Sequence, residues 1–252
     1  MKFMMFVGAA MAALTLAFAT PGGAGETGRA VGVVELFTSQ GCNSCPPADA
    51  VLAELGKRGD VVALGYHVDY WDYLGWNDTL ATPENTARQR DYGRAFGSRS
   101  VYTPQAVING RVHINGAKRA AVLEALATLG STGQGLEVEV SVVRKGNTVV
   151  IAAGDATGIA AEAHVLIVYF SEAKAVDIKK GENGGRRIVY WNPVTGIHAA
   201  GLWHGKSVEF ELPAAEIARK GKGGCAILLQ SVTSDGAPGP ILGAAVYGKE
   251  GF

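Results

Sequence analysis

Two cysteines two residues apart, between an apolar run and a pair of prolines, constrain this chain more than any other feature. They lie in "ELFTSQGCNSCPPAD", Glu35 to Asp49. The run "AVGVVELF" (Ala30–Phe37) is rich in β-branched and aromatic residues and predicts a buried strand. "PPADAVLAELGKR" sets Ala50, Val51, Leu52 and Leu55 at helical spacing and stops at Gly56 or Gly59. "DVVALGYHV" (Asp60–Val68) predicts a second apolar strand. Strand, helix, strand in this order is a parallel βαβ unit, so Cys42 and Cys45 belong at a strand-to-helix corner.

That corner favours sulfur chemistry. Backbone N–H groups and the helix dipole stabilise negative charge on the first sulfur, and the thiolate is the attacking form. A second cysteine this close can attack the resulting mixed disulfide and release its partner. Pro46 and Pro47 fit the first helical turn, whose N–H groups have no intrahelical partner. They also remove two donors to a Cys42 thiolate, leaving mainly the amides of Ser44 and Cys45. Asp49 adds opposing negative charge, so Cys42 is expected to be less acidic than the most oxidising dithiols. A mere staple is a poor reason for the spacing, because a short disulfide loop stabilises little through chain entropy.

The first residues read as a leader. "MKFMMFVGAAMAALTLAFAT" has one positive charge at Lys2, an uncharged apolar run, and the small-x-small signal "AFA" ending at Ala19. A signal peptide over 1–19 predicts an exported protein, periplasmic or secreted, with no membrane association once the leader is removed. Outside the cytoplasm a close cysteine pair rests as a disulfide. The third cysteine, Cys225 in "GGCAILLQ", reads as a small buried hydrophobe. The net charge of +0 over 252 residues argues against nucleic acid as a partner.

Further along, Thr82 is placed to cap a helix that starts at Pro83 and stops near Gly97, with Arg88, Arg90 and Arg94 expected on its solvated face. "TPQAVINGRVHING" predicts a hairpin turning at Asn109-Gly110. "AKRAAVLEALATLG" predicts a helix that turns Val122, Leu123, Leu126 and Leu129 to a core. "GSTGQG" (Gly130–Gly135) reads as a linker. Beyond it six short runs, "LEVEVSVV", "TVVIAA", "HVLIVYF", "SVEFEL", "CAILLQSV" and "ILGAAVY", predict an antiparallel β-sandwich over 136–252, following an α/β domain over 30–130.

"YHVDYWDYLGWND" (Tyr66–Asp78) is the densest polar and aromatic cluster, at a strand end on the same side as the cysteine loop. His67 reads as a satisfied core histidine, whereas Asp69 and Trp71 are candidates to flank the thiols and bind a client. Two thiolates with His67 or His113 would suit Cu(I) or Zn(II), the alternative to redox chemistry, although no histidine motif stands at ligand spacing. In "GENGGRR" (Gly181–Arg187) the glycines permit a turn or a close approach to a ligand, and Arg186 or Arg187 could grip a carboxylate or clamp the first domain; a surface hairpin turn is the other reading.

The order of elements resembles the thioredoxin-like fold. The strings "VELFTSQGCNSCPPAD", "HVDYWDYLGW", "TPQAVING" and "GENGGRR" resemble the DUF1223 family of secreted bacterial proteins of unknown function, over nearly the whole chain after the leader. The thioredoxin resemblance implies that Cys42 attacks, Cys45 resolves, and Thr103-Pro104 supplies a cis-proline facing the disulfide. It implies for Glu35 the role of a buried acid passing protons to Cys45, one residue further from the pair than usual; a carboxylate held by backbone or arginine is the other reading. Asn43 and Ser44 replace the Gly-Pro of thioredoxins and would meet the substrate with Thr103. The expectation is an exported thiol–disulfide oxidoreductase whose cofactor is its own Cys42–Cys45 disulfide and whose client is a protein or small thiol or disulfide. The alternatives are a copper- or zinc-binding chaperone and a non-catalytic binding module on the same fold.

Overall fold

The computed structural model describes residues 30–156 and 162–248; the expected leader lies outside the described residues. Strands β1 (Gly32–Thr38) and β2 (Val61–His67) pair in parallel, joined by helix α1 (Pro46–Arg58). Pro46 and Pro47 occupy the first helical positions, and Gly59, at φ +76°, ends the helix in the left-handed region that glycine tolerates. After a short 3-10 turn at Asp72–Leu74 comes α2 (Pro83–Ala95), capped as expected by Thr82, whose side chain accepts from the Asn85 amide at 3.2 Å. Strands β3 (Gln105–Ile108) and β4 (Val112–Asn115) form the predicted hairpin, with Asn109 and Gly110 both at positive φ. The first sheet has the order β2-β1-β3-β4. Helix α3 (Arg119–Ser131) buries Val122, Leu126 and Leu129, and the segment expected as a linker begins inside its last turn.

The second half contains β5 (Val140–Lys145), β6 (Thr148–Ala153), β7 (Ala163–Phe170), β8 (Lys174–Asp177), β9 (Arg187–Tyr190), β10 (Val194–Trp203), β11 (Val208–Pro213), helix α4 (Ala214–Lys220), β12 (Gly224–Val232) and β13 (Pro238–Gly248). Six of these strands follow the apolar runs. Strands β8, β9 and β10 and helix α4 were not legible: β10 reads "VTGIHAAGLW", a sheet-edge strand with shifts of register and no clean alternation. These elements form antiparallel sheets of order β10-β7-β12-β13 and β11-β6-β5, and a separate two-stranded ribbon β8-β9. The chain is thus an α/β fold with several sheets and, among the described residues, four helices.

The sheet β10-β7-β12-β13 has an apolar partner on each side. Val165, Ile167, Ile227 and Leu229 pack toward β5 and β6, around Val142, Val149 and Ile151. Their neighbours Val168, Phe170, Ala226 and Leu228 pack with Val33, Phe37, Leu64 and Tyr66 of the first sheet. Strands buried on both faces read as continuous hydrophobic runs, which explains "HVLIVYF" and "CAILL". Helices α1 and α3 cover the other face of the first sheet. The two halves also meet at the β2 edge, where the Gly65 amide donates to Asn192 O at 3.0 Å and Asn192 Nδ2 donates to Ala63 O at 3.0 Å.

One expectation for α2 is corrected. Arg90 and Arg94 are exposed, but Arg88 is buried, on the face that α2 turns to the shared core. Its guanidinium is satisfied there by Glu35, Tyr92 and Gln230. A charge can be buried when all its donors find partners.

Candidate functional site

Cys42 and Cys45 form a disulfide at the entrance of α1, with a Cα–Cα separation of 5.4 Å. Cys45 precedes Pro46 as the N-cap residue, and the Cys45 amide donates to Cys42 O at 3.2 Å. Both cysteines have 0 % of their surface exposed, while Asn43 and Ser44 between them are exposed. The Ser44 hydroxyl lies 3.4 Å from Cys42 Sγ.

Trp71 joins this loop to the segment before β3. Its Cβ and carbonyl crowd Gly41, where a side-chain carbon would come within 3.0 Å, and its indole Nε1 donates to Thr103 Oγ1 at 2.8 Å. The Thr103–Pro104 peptide bond is cis. Trp71 and Thr103 therefore gather beside the cysteine loop. Asp69 does not join them: its carboxylate accepts from Thr86 Oγ1 on α2 at 2.7 Å.

Glu35 also faces elsewhere. Side chains alternate along β1, so Val34 and Leu36 pack with α1 whereas Val33, Glu35 and Phe37 share the opposite face. There Glu35 is fully buried, accepting from Arg88 Nε at 2.8 Å and from the Tyr92 hydroxyl. The one extra residue between this acid and the first cysteine turns it to the far side of the sheet from α1. The proton-passing role expected of Glu35 does not agree with that placement.

The acid on the cysteine side is Asp49. It lies one turn after Cys45 on α1, on the same helix face, and is 4 % exposed. Its Oδ1 accepts from Thr38 Oγ1 at 2.8 Å, and its Oδ2 is buried without a hydrogen-bond partner. Burial pushes the Asp49 carboxyl up to about 7, against the opposing influences of His67 and the Thr38 hydrogen bond. His67 stands behind it, buried, with Nδ1 2.8 Å from Asp78 Oδ2 and its ring edge-on to Tyr190. Asp78 Oδ2 also accepts from the Gln40 amide at 2.7 Å. The sequence marked His67 as a satisfied core histidine; its Nδ1 is satisfied and its Nε2 is not.

The turn Gly181–Arg187, between β8 and β9, closes over this corner. Asn183, 1 % exposed, donates from Nδ2 to Gln40 O at 3.0 Å and to Cys42 O at 2.8 Å. Arg186 Nη1 braces the amide by donating to Asn183 Oδ1 at 2.9 Å, and the Asn43 amide donates to Glu182 Oε2 at 3.3 Å. Of the two roles expected of the arginines, Arg187 grips a carboxylate, that of Asp177, at an exposed position, while the hold on the first half comes from Asn183 with Arg186 behind it. Asn183 carries no signal of its own within a glycine-rich turn.

Among the described residues no three His, Cys, Asp or Glu side chains converge as a metal site. His113, one of the two histidines considered as a ligand, lies 3.1 Å from the Tyr102 hydroxyl on an exposed strand. Cys225 is buried in the second core, where burial pushes its thiol up to about 12, out of reach of thiolate chemistry at neutral pH. No described helix is long and apolar enough to cross a membrane.

Comparison with known proteins gives the chain relatives. The crystal structure of protein AGR_C_4864 from Agrobacterium tumefaciens is 45% identical, with a TM-score of 0.81 over 88% of this chain and 96% of that one. HBP35 of Porphyromonas gingivalis shares the fold alone, at 14% identity and a TM-score of 0.57 over 87% of this chain and 75% of that one. No curated protein matches. The model of a family of unknown function, DUF1223, matches residues 33–230, from the first strand into β12 and across both sides of the disulfide corner, and the chain belongs to that family.

Proposed function

We propose that the protein is an exported thiol–disulfide oxidoreductase, built from a thioredoxin-like unit and a β-sandwich, that works through Cys42 and Cys45. The observation that carries this reading is the disulfide at the head of α1, in a loop against which Trp71 packs at Gly41 while bonding Thr103. In the reduced protein Cys42 attacks one sulfur of a client disulfide, whose S–S bond breaks and whose first thiolate leaves and takes up a proton. Cys45 then attacks Cys42 of the mixed disulfide, the Cys42–client bond breaks, and the second client thiol departs. The client gains two electrons and two protons, and the cysteine pair loses them. The same steps run backwards when the disulfide meets a client dithiol.

A thiol at Cys45 is shut off from bulk water, so its proton needs an internal acceptor. Asp49, rather than Glu35, is the candidate, with a carboxyl poised near neutrality. The burial of both sulfurs favours a second reading, a non-catalytic module whose disulfide stays closed. Cys45→Ser separates the two. In the first reading this variant accumulates mixed disulfides at Cys42 in cells, recoverable by diagonal electrophoresis and absent from Cys42→Ser. A Cys45→Ser protein that stays free of adducts supports the inert module instead.

A further inference from the structure

Exchange at a sulfur with no exposed surface requires part of the protein to move, and the structure contains one segment suited to it. The ribbon β8-β9 belongs to none of the three large cores. Its buried residues, Val176, Ile178 and Tyr190, form a small cluster of their own, joined by the partly buried Trp76, Leu80 and Ile188. A two-stranded ribbon on so small a core opens at lower free energy than the sheets beside it. It is anchored at one end, where Trp191 packs on Gly56 of α1 and Asn192 bonds the β2 edge, and along its length it packs on Trp76, Leu80 and His67. The other end is the Gly181–Arg187 turn, which reaches positive φ at Gly181 and Gly185 and is held by hydrogen bonds to the backbone of Gln40, Cys42 and Asn43.

We propose that Asn183 is the latch of this site: a positioning residue that holds the Cys42 segment shut, so that reagents reach the sulfur only after the Gly181–Arg187 turn lifts. The inference rests on the exchange reading for its purpose but not for its test. One amide makes both bonds to the cysteine loop, Arg186 fixes its rotamer, and Glu182 adds a weaker hold on the Asn43 amide. A client therefore competes with Asn183 for the carbonyls of Gln40 and Cys42. Partners that present backbone N–H donors beside their cysteine, as an extended peptide does, are favoured over small thiols that lack amide groups.

Gating has a kinetic signature that ordinary burial lacks. The purified oxidised protein is mixed with increasing amounts of a water-soluble phosphine. The phosphine attacks one sulfur, the S–S bond breaks, and hydrolysis yields phosphine oxide and two thiols. If opening limits the reaction, the rate levels off as the phosphine rises. Asn183→Ala removes two hydrogen bonds of ordinary strength and raises that plateau about tenfold. Arg186→Ala, which leaves the amide but removes its brace, raises it less. Ile151→Val loosens the distant second core and leaves the plateau unchanged.

A rate proportional to phosphine throughout, and equal in wild type and Asn183→Ala, overturns the latch. So does a plateau that Ile151→Val raises as much, since the opening would then be global unfolding. Adding Cys45→Ser to both backgrounds separates this inference from the one it serves. Adducts that are equally abundant with and without Asn183 sink the latch alone. Adducts missing from both sink the exchange reading, and the phosphine plateau still decides the latch.

Discussion

Arg88 Nη2 stands 2.7 Å from Glu35 Oε1 in the core shared by the two halves of the molecule, where Glu35 has no exposed surface. Gln230 of β12 completes the group by accepting from Arg88 and donating to the Tyr92 hydroxyl, each at 2.8 Å. The arrangement is a polar bolt through three elements: β1, α2 and β12.

Arg88→Met leaves a buried carboxylate facing one hydroxyl, a loss of about 3–5 kcal/mol. Glu35→Leu combined with Arg88→Met removes both charges and recovers most of that loss. Urea denaturation of the single and double variants measures both effects. A cost below about 1 kcal/mol, the range of exposed pairs, would contradict the bolt.

Asp49 makes stability depend on pH in a stated direction. The unfolded carboxyl ionises near its ordinary value of 3.8, whereas the folded one holds its proton up to about 7. The folded-state pKa is the higher, so the contribution is complete below the unfolded value and is lost as pH rises through that window, by about 1.4 kcal/mol per pH unit. Asp49→Asn keeps an acceptor for Thr38 and removes the ionisation. Relative to wild type it therefore gains about 3 kcal/mol between pH 4 and pH 7, since the slope tapers at each end of the window. Denaturation midpoints across that range provide the check; parallel profiles for the two proteins count against a proton held at Asp49.

Gly56 has no room for a side chain, because an added Cβ would enter the Trp191 indole. On an exposed helix the change to alanine would raise stability by the difference in propensity. Here Gly56→Ala is expected to cost about 1–3 kcal/mol through overpacking. Trp191→Ala in the same chain reverses the sign of the alanine's effect, which thermal unfolding of the four proteins would show. If Gly56→Ala stabilises with Trp191 in place, the contact is not the anchor assigned to it.

Local chemistry made part of this protein legible. The two prolines and Gly59 bound α1, Thr82 and Pro83 open α2, and Asn109-Gly110 turns the hairpin, because each depends only on its own backbone. The cysteine spacing marked the corner where the disulfide lies.

Partners distant in sequence were not legible. Arg88 read as solvated until β12 supplied Gln230 from 142 residues away, and Glu35 read equally as a proton carrier or a carboxylate held by backbone or arginine until the pleat of β1 turned it to Arg88. Asn183 lies 141 residues from the carbonyl it holds. Spacing along the chain settles which face of its own helix or strand a side chain takes. What covers that face depends on how the sheets stack, and only the folded packing decided that an apolar strand would have a second core, rather than water, on its other side.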